Sequence, residues 1–129
     1  MKKLIPVLAL LVTLNAQAFV GTGNDQMNRI RSYLLVSESG KGSDEDIENF
    51  YWWIGAVSGM SAIVATPQYK FAICYPKKST AEQIADIAAK YISNNPEERA
   101  KNLGMLVWQS HYLAFGLITD SDCWLNDAE

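Results

Sequence analysis

The sequence predicts an all-α fold, a small bundle of four to five helices stapled by one disulfide and set behind a cleavable leader. Three observations carry this expectation. Apolar residues recur at three- and four-residue spacing along most of the chain. Two sequences of the capping-box type, Ser43 with Asp46 and Thr80 with Gln83, mark helix starts. Two cysteines, Cys74 and Cys123, are available to each other in a chain that carries an export signal.

The leader comes first. Met1-Lys2-Lys3 is a basic start, and Leu4 to Leu14 is an apolar run interrupted only by Pro6 and Thr13. Ala16 and Ala18 then place small residues where a signal peptidase reads them. The run falls short of the roughly 20 residues needed to cross a bilayer. Phe19 follows the expected cut, so no lipid-modified cysteine is expected there. The domains expected are therefore a signal peptide over 1–18 and a helical domain over 19–129, with the mature chain in the periplasm. No later apolar stretch is long enough for a membrane span.

Removing 18 of the 129 residues leaves 111, enough for one domain with its own core. Lys2 and Lys3 leave with the leader, which takes the formal charge from −3 to −5. That balance speaks against nucleic acid, since phosphate binding needs clustered Lys and Arg. Lys77-Lys78 is the only adjacent basic pair in the mature part. In an oxidising compartment Cys74 and Cys123 are expected to pair. A zinc site needs three or four ligands, and His111 is the only histidine.

From Asn24, the stripe Met27, Ile30, Leu34 predicts a first helix, and the small polar segment Ser37 to Ser43 a loop. The second helix is expected over Asp44 to Ala65. Ile47, Phe50, Tyr51, Ile54, Val57 and Met60 mark one side, and Trp52, Trp53, Ala56 and Ile63 extend the apolar surface around it. A helix apolar nearly all round is expected to be buried on several sides. Gly55 and Gly59 form a small-residue seam suited to close packing or to a homodimer face. Thr66-Pro67 ends this helix.

Gln68 to Ser79 reads as an extended connection in which Phe71, Ile73 and Tyr75 alternate. After Thr80, the residues Ile84, Ile87, Ala88, Tyr91 and Ile92 give a helix with one buried face. The next helix is expected to start at once, with Asn95 as its cap and Pro96 in its first turn. Leu103, Leu106, Val107, Ser110, Leu113, Ala114 and Leu117 are its expected buried face, and Gly116 marks its end. The four tryptophans could line a ligand pocket but are expected mainly in the core.

Chemistry is sparse. Ser58, Ser61 or Asp120 could meet His111 in space, but a lone histidine on a long helix reads as a structural residue. The carboxylates of Asp44-Glu45-Asp46 and Glu97-Glu98 sit in first turns, where they complement the helix dipole. No phosphate loop or nucleotide motif is present. The expectation is a non-enzyme that holds no cofactor and no metal.

The segment Phe71-Ala72-Ile73-Cys74-Tyr75-Pro76, followed by Ser79-Thr80-Ala81-Glu82-Gln83-Ile84, Lys90-Tyr91-Ile92 and Asn95-Pro96-Glu97, resembles the Rap/Tai family of type VI secretion immunity proteins. Trp52-Trp53-Ile54-Gly55-Ala56-Val57 and Gly23-Asn24-Asp25 are similar to the family's upstream helix and opening, and Leu106-Val107 to Ala114-Phe115 to its last helix. The family's additional Cys pair is absent. The resemblance implies a periplasmic, helical, disulfide-bonded and often homodimeric protein. Such a protein binds a secreted effector enzyme, a peptidoglycan amidase or related toxin, and occludes its active site. The expected contacts lie in the connection Pro67 to Lys78, with Tyr69 and Lys70, and in the turn Asn94 to Glu98, with Asn94, Asn95 and Glu97. The alternative expectation is a small periplasmic stress chaperone.

Overall fold

A computed structural model describes residues 21–65, 71–119 and Cys123. Among the described residues four α-helices form the bundle: α1 (Met27–Ser39), α2 (Asp44–Val64), α3 (Ala81–Asn94) and α4 (Leu103–Phe115). Short 3-10 turns at Asn24–Gln26 and Pro96–Glu98 precede α1 and follow α3. Among the described residues no helix is long and apolar enough to cross a membrane.

Both capping boxes form. Ser43 Oγ accepts the Asp46 amide, and the Asp46 carboxylate accepts the Ser43 amide, which opens α2. The same carboxylate accepts a 2.8 Å bond from Ser32 Oγ, tying α1 to the start of α2. These donors hold Asp46 below the ordinary carboxylate pKa, led by the Ser32 hydroxyl. Thr80 and Gln83 open α3 in the same way.

The core is built from one face of each helix: Met27, Ile30 and Tyr33; Trp53 and Val57; Ala85, Ala88, Ala89 and Ile92; Leu103, Leu106 and Val107. Three alanines let α3 approach closely enough for the buried Trp53 indole to donate to the Ala85 carbonyl at 2.9 Å. Among the described residues Trp53 is the core tryptophan; Trp124 lies outside them. Trp52 lies half-buried under the Arg29 guanidinium, 4.0 Å from its ring centroid, and Trp108 lines the surface.

The start of α4 departs from the expectation. Asn95 stands at the N-cap position of the 3-10 turn that Pro96 opens, not of α4, and makes no side-chain cap bond; its side-chain amide instead donates to the Tyr91 carbonyl at 2.8 Å. The chain makes a 3-10 turn and then pairs with the segment before α1: Asn24 N–H to Arg99 O, Gly23 N–H to Lys101 O and Leu103 N–H to Gly21 O. This pairing withholds the backbone from a helix until Asn102, whose side chain caps α4 through the Gly104 amide. Gly23 permits the approach, since a Cβ there would sit 2.7 Å from Leu106 Cδ1 and 3.1 Å from the Arg99 backbone. Arg99 also closes α3, donating to the carbonyls of Ile92 and Ser93 at 3.1 and 2.7 Å.

Gly116 ends α4 with a φ of 75° and a ψ of −170°, a region open essentially to glycine. The connection after α2 then pairs with the chain leaving α4. Cys74 N–H donates to Gly116 O, and Ile118 N–H donates to Ala72 O. The Cys74–Cys123 disulfide lies beside this short ladder, with both half-cystines buried.

Two packing expectations fail. The second helix is apolar nearly all round, yet the described residues cover it on one side only. Tyr51 and Ile63 are each 67% exposed, and nothing lies within 4 Å of a Cβ placed on Gly55 or Gly59. On α4 the buried stripe stops at Ser110 and His111, while Leu113 is 68% exposed and Ala114 is exposed. Leu117 lies beyond the helix, in the bridge to Ile73. Helical spacing says which residues share a face, not how far a neighbour covers that face.

Candidate binding surface

The side of α4 opposite the core presents Met105, Trp108 and Tyr112 at spacings of three and four. The Trp108 and Tyr112 rings stack at 5.1 Å, and Phe71 meets Trp108 edge-on at 6.3 Å. The Trp108 indole N–H donates to the Phe71 carbonyl at 3.0 Å, which fixes the connection against the helix. Val64, at the end of α2, closes the far wall. Together with Asn102 and Gly104, Val64, Phe71, Met105 and Trp108 line a shallow, largely apolar groove of about 510 Å³. Met105 is 55%, Phe71 46% and Tyr112 42% exposed. A contiguous apolar surface of this kind marks an interaction site more often than a scattered exposed leucine does.

The expected contact residues distribute unevenly around it. Tyr69 and Lys70 lie outside the described residues, as do Ala16 and Ala18. Of the described residues near Tyr69 and Lys70 in sequence, Val64 and Phe71 are walls of the groove. Asn94 and Glu97 are exposed and Asn95 is half-buried at the turn after α3, and among the described residues none of the three lines the groove. The sequence reading missed Met105, Trp108 and Tyr112. Their spacing opposite Leu103, Leu106 and Val107 could have revealed a second apolar stripe on α4.

The second polar feature is internal. His111 is fully buried, and its Nε2 lies 2.8 Å from the Ile84 carbonyl. A carbonyl only accepts, so the proton sits on Nε2 and leaves Nδ1 as the acceptor. The Tyr75 hydroxyl donates to that Nδ1 at 2.6 Å. Ser61 Oγ is 3.5 Å from the same nitrogen, at the limit of a bond, and is itself buried. Tyr75 therefore holds the lone pair that Ser61 would need for activation as a nucleophile. Burial of the imidazole holds the His111 pKa below its usual 6.5, while the Ile84 carbonyl opposes this in part. Burial likewise raises the Tyr75 pKa, so its hydroxyl stays protonated. Among the described residues, no three His, Cys, Asp or Glu side chains are grouped to hold a metal ion.

The chain is thus a small all-helical protein, disulfide-stapled, with an aromatic groove on one outer face and a histidine joining the elements behind it. Comparison with protein-family models, with curated proteins and with solved structures found no match to it.

Proposed function

We propose that this chain is an exported periplasmic immunity protein. It binds a secreted effector enzyme, a peptidoglycan amidase delivered by type VI secretion, and blocks its active site without doing chemistry of its own. The observation that carries the reading is the groove of Phe71, Met105 and Trp108, which flanks the connection where partner contacts are expected. Support also comes from the basic, apolar, A-x-A leader pattern, from the disulfide that suits an oxidising compartment, and from the Rap/Tai resemblance. Aromatic anchors in a partly enclosed apolar patch are the residues that carry most binding energy in protein interfaces. Occlusion of the enzyme's cleft by the Pro67 to Lys78 connection, with the patch as its anchor, is the mode of inhibition this reading assigns. The homodimer that the resemblance implies is assigned to the open face of α2 around Gly55 and Gly59, leaving the groove free.

The test is inhibition of a type VI amidase effector in vitro, paired with protection of cells that express the effector in the periplasm. Stoichiometric wild-type protein should abolish peptidoglycan cleavage. Trp108→Ala should weaken binding by about thirty-fold, the equivalent of ~2 kcal/mol for a central aromatic anchor. Full amidase activity under saturating protein refutes the reading, and undiminished inhibition by Trp108→Ala refutes the assignment of the groove. The exposed apolar faces also favour a second reading, a stress chaperone of the envelope. It would suppress aggregation of unrelated unfolded proteins at ratios that do not depend on the effector.

A further inference from the structure

Helix α4 grips the connection after α2 at two points, and one grip is titratable. Trp108 Nε1 holds the Phe71 carbonyl, and His111, three residues further along α4, holds the Tyr75 hydroxyl. Between these points the connection is held by short backbone pairing: Ile73 to Val64, Cys74 to Gly116 and Ile118 to Ala72, with the disulfide alongside. The same ring touches α2 through Ser61 and α3 through the Ile84 carbonyl, and it packs beside the half-buried Phe115.

We propose that the Tyr75–His111 bond is a proton-operated latch: acid places a second proton on the imidazole at Nδ1, the Tyr75 hydroxyl can no longer donate there, and the buried charge loosens the segment from Phe71 to Tyr75 from α4.

The direction follows from what surrounds the ring. Among the described residues the groups facing it are Ser61 from α2, Tyr75 from the connection, the Ile84 carbonyl from α3 and Phe115 from α4 itself, and none of these is charged; Asp120 lies outside the described residues. On α3, Asp86 is ion-paired with Lys90 and Glu82 is exposed, so neither neutralises an imidazolium. A buried cation without a counter-charge must be hydrated or neutralised by a proton leaving. The three helices meeting at the ring are held by the core. The segment from Phe71 to Tyr75 lies outside them, and Tyr75 is half-buried and lines a cleft of about 300 Å³. Because Phe71 is a wall of the groove, release of the latch alters the surface assigned to the partner. That consequence rests on the proposed function; the latch itself does not.

The sign is fixed by linkage. The proton is disfavoured in the closed state, so closure is fully supported above pH 6.5, the ordinary histidine value, and is progressively lost as pH falls below it. One proton coupled to one opening allows at most a tenfold rise in the opening constant per pH unit.

The experiment is amide hydrogen exchange on the mature, disulfide-intact protein without a histidine tag, from pH 7.5 to 5.0 and corrected for intrinsic exchange. It is run beside an NMR titration of the ring nitrogens. His111 is the sole histidine, so its signals are unambiguous. Protection at Cys74 and Ile118 should fall below pH 6.5 with the midpoint of the ring titration, while the Val57 and Leu106 amides keep theirs. Tyr75→Phe should show low protection of the connection already at pH 7.5. His111→Asn, which keeps an acceptor near the Nδ1 position but cannot titrate, should abolish the pH dependence. Wild-type protection that stays constant across the range, or falls with a midpoint unrelated to the ring, overturns the latch even if both variants misfold. Effector affinity measured at pH 7.5 and 5.5 is a separate arm. Unchanged affinity with an operating latch removes the groove from the partner site and leaves the latch standing.

Discussion

Removal of the disulfide gives the most quantitative check on how this small domain stays folded. The bond joins Cys74, fully buried in the connection after α2, to Cys123, 2% exposed beyond α4, across a sequence separation of 49. In the chain-entropy treatment, closing a loop of about 50 residues removes roughly 14 cal/mol/K from the unfolded ensemble, or ~4 kcal/mol at 25 °C. Single domains are stable by only about 5–15 kcal/mol in total, so the bond supplies a large fraction of the folded population's margin. The perturbation is the double variant Cys74→Ala/Cys123→Ala. Urea unfolding at pH 7.5 should show a loss near 4 kcal/mol, and thermal unfolding should show a midpoint lower by about 15 °C or more. Because the constraint acts on the unfolded chain, the urea m-value should rise when it is removed.

That last expectation separates two physical accounts. If the bond acts instead by pinning the native ladder of residues 72–74 against 116–118, the m-value stays put. The loss then appears mainly as faster exchange of the Cys74 and Ile118 amides. A cost under about 1 kcal/mol with an unchanged m-value refutes the entropic reasoning outright.

Two further outcomes follow from the helices. Gly55 and Gly59 stand in mid-helix with open space where a Cβ would project, so each Gly→Ala change should stabilise the monomer by up to about 1 kcal/mol. Urea melts at micromolar concentration read this, and sedimentation at higher concentration reads whether the same changes disturb a dimer through the α2 face. Replacing Arg99 by Met removes the guanidinium from the Ile92 and Ser93 carbonyls but keeps most of the aliphatic stem. It should cost about 1–3 kcal/mol in chemical unfolding and lower exchange protection in the last turn of α3; equal stability of this variant and the wild type would show that those carbonyls find water at no cost.

The sequence revealed the elements more readily than what covers them. Ser43 with Asp46 and Thr80 with Gln83 were legible because a capping box is a local object whose partners lie three residues apart. The Cys74–Cys123 pairing was legible by elimination, since two cysteines allow one bond. The start of α4 was not, because its delay depends on pairing between residues 21–24 and 99–103, a non-local contact that local spacing does not encode. Met105, Trp108 and Tyr112 escaped notice for a related reason. Apolar residues on a helix were assigned to the interior, although periodicity gives only the angular position of a side chain and not its neighbour.

The helices themselves show why this matters for function. On α1 and α3 the outer positions are mostly polar, among them Asn28, Arg31, Glu38, Glu82, Gln83 and Lys90, and one buried face satisfies each helix. On α2 and α4 the apolar residues run round to a second face, where Tyr51, Ile63, Met105, Tyr112 and Leu113 meet solvent. A four-helix unit closed by one disulfide offers each helix roughly one side to bury, so a second apolar side gains nothing from folding. Leaving such faces in water invites association. The apolar residues that the fold does not bury are therefore the ones left to meet another surface, and on α4 Met105 and Trp108 line a groove that Phe71 and Val64 complete.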